Sequence, residues 1–136
     1  LILRPAAALL SLSLLLAACG SGGGAADPGD PYAGLDAQVL AWRGEIEAGH
    51  PACKAKVDGK GCEGFEVTCK GAQEITPEDQ AKGVTAQVVT AMRFSGRNPD
   101  GSTGKSGSAF ARFTKAGGEW TRAEAGPVNL STCAPL

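Results

Sequence analysis

Between residues 35 and 70 the spacing of apolar side chains changes once, from a period of 3.6 to a period of 2, which restricts the chain to folds that pack a helix on a sheet. In LDAQVLAWRGEIEAGHP, Leu35, Val39, Trp42 and Ile46 recur at steps of four, three and four and share one helical stripe. Asp36 is expected as the N-cap, with Leu35 and Leu40 as a hydrophobic staple around it, and Gly49 and Pro51 as the stop. Gly44 weakens the interior by about 1 kcal/mol relative to alanine, so packing must hold this helix. Its opposite face, with Arg43 and Glu47, reads as solvated surface.

After the Asp58-Gly59 turn signal, FEVTCK alternates Phe65, Val67 and Cys69 with Glu66, Thr68 and Lys70, the pattern of a half-buried strand. A second strand is expected over 83–95, with Val84, Ala86, Val88, Met92 and Phe94 on one side. Two more flank Gly117-Gly118. A two-residue turn there sets Lys115 opposite Trp120 and Phe113 opposite Arg122, with Ala111, Phe113 and Trp120 on one side and Phe110 on the other. The expected fold is α+β, one N-terminal amphipathic helix packed on a sheet of about four antiparallel strands. This order of elements resembles the cystatin-like and NTF2-like architectures, a likeness of arrangement only, and a fold does not by itself assign a function.

The first residues, LILRPAAALLSLSLLLAACGSGGG, join one positive charge at Arg4 to an apolar run ending at Ala18, the layout of a secretory signal rather than of a membrane span. Leu16-Ala17-Ala18-Cys19 resembles the lipobox of bacterial lipoproteins. The resemblance implies cleavage before Cys19, a diacylglyceryl group on its thiol and a membrane anchor, with Gly20 favouring the outer membrane. Residues 1–18 are thus expected to be a signal peptide, 19–34 a lipidated, Gly/Pro-rich tether, and 35–136 one small domain. The expected location is the cell envelope, facing the periplasm or the cell surface.

Cys53, Cys62, Cys69 and Cys133 form an even set in an exported domain, and two disulfides are the default reading. We favour Cys53 with Cys62, closing a local turn around Asp58-Gly59, and Cys69 with Cys133, tying the carboxyl end to the apolar side of the first strand. These spacings, with His50 as the only histidine, do not fit a zinc site. No metal or cofactor is expected.

GSTGKSG at 101–107 ends like a phosphate-binding loop, but Pro99 stands where the first glycine belongs and no helix follows. It is read as part of a long polar hairpin loop over 95–108. Nucleotide is not expected, nor is nucleic acid, because 13 Lys and Arg balance 14 Asp and Glu without blocks. His50, at a helix end, reads as a surface residue favoured by the dipole. The acidic pairs do not share a helical face, and the cysteines have bridging partners, so no catalytic residues are assigned. Phe110, with Arg97 and Lys105 from the loop, remains as the possible contact surface. The expected function is non-catalytic binding of an envelope partner; the alternative is inhibition of a hydrolase, lysozyme or protease, by a loop on a disulfide-braced scaffold.

Overall fold

The computed structural model describes residues 29–136. The signal sequence, Cys19 and the start of the tether lie outside the described residues. Helix α1 (Leu35–Gly49) leads through a 3₁₀ turn (Pro51–Cys53) to strand β1 (Cys62–Ala72). Helix α2 (Pro77–Ala81) and strands β2 (Val84–Arg97), β3 (Thr103–Ala116) and β4 (Glu119–Glu124) complete the chain. The strands form one antiparallel sheet in the order β1-β2-β3-β4. The fold is therefore the expected α+β arrangement, with two disulfides.

Helix α1 lies on one face of the sheet. Leu35, Val39, Trp42 and Ile46 are its buried residues, packed in one core with Val88, Met92, Phe94, Ala111 and Phe113. Trp42 meets Phe113 edge-on, ring centroids 5.8 Å apart. Burial of such side chains contributes roughly 1.5–3 kcal/mol each, which outweighs the propensity cost of Gly44. The helix starts differently from the expectation. Gly34, at φ 87°, is the N-cap and no side chain caps the end; Asp36 sits in the first turn, its carboxylate 3.0 Å from Lys70 Nζ. A Cβ at residue 34 would lie 3.3 Å from Trp120 Nε1, and the positive φ independently favours glycine. Without the Asp36 cap there is no staple, and Leu40 stands 65% exposed.

Strand β2 is central and buried on both faces. Val88, Thr90, Met92 and Phe94 alternate with Val89 and Ala91, which belong to a second core on the back of the sheet. That back face is covered by the chain beyond β4. Ala125 N–H donates to Phe110 O at 3.1 Å, and the remaining residues form a strap that packs Val128, Leu130 and Cys133 over Val89, Ala91 and Phe110. Asn129 Oδ1 accepts from the N–H groups of Ser131 and Thr132 to turn the strap.

Both expected disulfides form, Cys53–Cys62 and Cys69–Cys133. The reason given for the second needs correction. Val67 pairs with Met92, but Cys69 pairs with Ala91, so Thr68 is an extra residue in a bulge. The bulge rotates Cys69 away from Phe65 and Val67, which stay on the α1 side, and onto the back face where the strap arrives.

The polar 95–108 segment is also shorter as a loop than expected. Ser95 pairs with Ser106 and Arg97 with Thr103, leaving only residues 98–102 between the strands. Pairing along β2 recruits glycines and serines that have little strand preference of their own. Gly107 suits this contact, since a Cβ there would approach the Phe94 ring at 2.6 Å. The Asp58-Gly59 turn is as expected, with φ 52° and 77° between the bridged Val57 and Lys60.

Candidate interaction surface

The structure separates the three residues singled out as a contact surface. Phe110 is half-buried in the back core beneath the strap. Arg97 lies near the far end of the β2–β3 hairpin, 3.4 Å from Glu63, whose carboxylate also accepts from the Thr103 hydroxyl at 2.9 Å. Lys105 is exposed on β3, within a strand rather than at a loop-to-helix junction, so the geometry of a phosphate-binding loop is not formed.

The outer side of α1 is more structured than a solvated helix face. The Glu47 carboxylate accepts from the N–H groups of both Gly61 and Cys62, and its carbonyl accepts from Lys56 Nζ. The helix thereby holds the 54–61 loop against the start of β1. Glu47 lies within 4.8 Å of the sulfurs of Cys53 and Cys62, but those sulfurs are joined to each other and the carboxylate is occupied by backbone donors. This grouping is a structural clamp. Arg43 lays its guanidinium over the Phe65 ring, 4.7 Å from the centroid.

A groove follows the seam between α1 and the edge strand β1. Two hollows, of about 460 and 200 Å³, meet at Leu40, Arg43 and Phe65. The larger reaches Glu47 and Lys60; the smaller reaches Val67 and Met92. A third, of about 330 Å³, lies by the start of the helix between Tyr32, Leu35 and Lys70. Leu40, Phe65 and Val67 make the groove apolar, with Arg43 and Lys60 as cations beside it. Nothing in the sequence pattern marks this site, because the spacing places Leu40 in a helix staple and Arg43 on a solvated face.

At the other end of α1, His50 closes the helix and starts the 3₁₀ turn. Its Nδ1 accepts from Ala52 N–H at 3.1 Å, and its ring stands edge-on to Phe94, centroids 4.8 Å apart. It is a half-buried capping residue rather than a surface histidine placed by the helix dipole. Arg122 on β4 pairs with Glu45 beside it.

Comparison with protein-family models, with curated proteins and with solved structures finds no match to this chain.

Proposed function

We propose that this chain is a lipid-anchored protein of the bacterial cell envelope whose α+β domain binds a partner without transforming it. The observation that supports binding most directly is the α1/β1 groove, where Leu40 is 65% exposed beside the Arg43–Phe65 stack. A large aliphatic side chain held at the lip of an apolar groove gains by being covered. The adjacent guanidinium favours a partner that offers an apolar side chain next to a carboxylate. Lipid on Cys19, followed by a Gly/Pro-rich tether, would hold this surface near the membrane while leaving it free to reorient.

Two experiments test the two parts. A photo-crosslinking amino acid at residue 40, in cells, is expected to trap a discrete envelope partner, and Phe65→Ser should abolish the adduct while the domain stays folded. An adduct pattern the same as that from an exposed control position such as Glu119 would refute the groove. Metabolic labelling with a fatty acid should mark the wild type and not Cys19→Ala; label retained by that variant would refute the anchor.

A second reading, hydrolase inhibition, draws on the tip of the β2–β3 hairpin. Asp100 accepts from both the N–H and the hydroxyl of Ser102, and Asn98 donates to the Ser102 hydroxyl and to Thr103 O. A tip fixed by its own hydrogen bonds loses little freedom on entering a cleft. Inhibition assays against lysozymes and proteases, repeated with residues 98–102 replaced by Asn-Gly, separate this reading from the first.

A further inference from the structure

Strand β4 covers only Ala111–Ala116 of β3, leaving the outer edge of β3 before Ala111 without a neighbouring strand. Phe110 O faces this side, since it accepts from Ala125 N–H. Backbone groups alternate between the two sides of a strand, and the register of β3 on β2 is unbroken from Ser106 to Phe110. The N–H and C=O groups of Ser106 and Ser108 therefore point outward too. They have no hydrogen-bond partner among the described residues.

Beside this bare edge, on the α1 side, lies a hollow of about 360 Å³ bordered by Ile46, His50, Ala109, Arg122 and Glu124. The strand register explains why it is there. Trp120, Arg122 and Glu124 lie opposite Lys115, Phe113 and Ala111, and all three project toward α1. The next α1-facing place in the track of β4 is opposite Ala109, and the chain has already turned away at Ala125 to form the strap. The hollow is the seat of a side chain that β4 does not supply.

We infer that this edge is a strand-addition site: an extended peptide segment of a partner protein enters the track of β4, pairs with Ser106 and Ser108 and lodges one apolar side chain opposite Ala109. Main-chain bonds supply the docking, and the hollow, floored by Ile46, selects the side chain. The opposite edge is less suited, because β1 carries two register breaks that interrupt a regular ladder. A second copy of the chain is also a poorer occupant. Pairing β3 with itself would need the space beside Phe110 and Ala111 that Ala125 and Glu124 fill. The inference does not depend on the α1/β1 groove.

The test uses the full chain and the peptide acetyl-Lys-Val-Thr-Val-Lys-amide, whose sequence reads the same in both directions. Bound peptide is expected to slow amide exchange at Ser106 and Ser108 by about tenfold or more. Ser108→Pro removes one outward N–H without removing a bond to β2, so it should keep the melting temperature and weaken binding about tenfold. Unchanged exchange at both serines with about 1 mM peptide, or affinity preserved in Ser108→Pro, would overturn the proposal. Slowed exchange without peptide that grows with protein concentration would overturn it in favour of pairing between two copies.

Discussion

The indole N–H of Trp120, on the last strand, donates to the carbonyl oxygen of Ala33, just ahead of the first helix, at 2.7 Å. This bond fixes the point at which the chain enters the domain, and a Cβ at Gly34 would crowd the same indole.

Trp120→Phe keeps most of the apolar contact and removes the donor. It is expected to cost about 1 kcal/mol and to raise amide exchange in the first turn of α1, measurable by urea unfolding and by NMR.

Glu47→Ala leaves the Gly61 and Cys62 N–H groups without their acceptor. The expected loss is about 1–3 kcal/mol, with Glu47→Gln intermediate because its amide oxygen still accepts. Equal stability of Glu47→Ala and wild type in urea would contradict the clamp.

Thr90 is fully buried and its hydroxyl has no partner among the described residues. Thr90→Val conserves the branched shape and removes the unmet polar group, so stability should rise by about 1 kcal/mol. A fall of similar size would show that the hydroxyl is satisfied in solution.

Removing the two disulfides one at a time should give unequal costs. Cys69–Cys133 spans a sequence separation of 64 and Cys53–Cys62 one of 9. The unfolded-chain entropy of the longer loop makes its loss roughly 1–2 kcal/mol more destabilising in paired Cys→Ala variants. Comparable melting temperatures for the two variants would count against this.

Hydrogen bonds from the Ser102 hydroxyl, and then from its N–H, lower the pKa of Asp100. A depressed carboxyl favours the folded state above its unfolded pKa, and this contribution is lost as pH falls through the lower folded value. Because Asp100 is fully exposed, the expected readout is local: its carboxyl carbon should titrate below an ordinary aspartate by NMR, and Ser102→Ala should move it back up.

The α1 stripe, the Gly117-Gly118 register and both cysteine pairings were legible because each rests on local spacing or on a small set of possibilities. The bulge at Thr68 was not. FEVTCK alternates without interruption, and only pairing with β2 reveals that one residue is skipped. Gly104 to Ser108 look like loop residues by composition, yet β2 draws them into a ladder. Helix α2 did carry a signal that was missed: Thr76 caps Asp79 N–H, with Pro77 in the first turn. The groove at Leu40 was not legible because it also needs Phe65 of β1 beside the helix, a neighbour that only the packing of α1 on the sheet supplies.

The strap and its disulfide also govern what a protease can release. A cut within residues 98–102, or at any other single bond between Cys69 and Cys133, leaves the two pieces covalently joined. In a compartment that holds degradative enzymes, a first nick therefore yields a two-chain molecule that retains both cores, and clearance has to wait for a second cut or for reduction of the bridge.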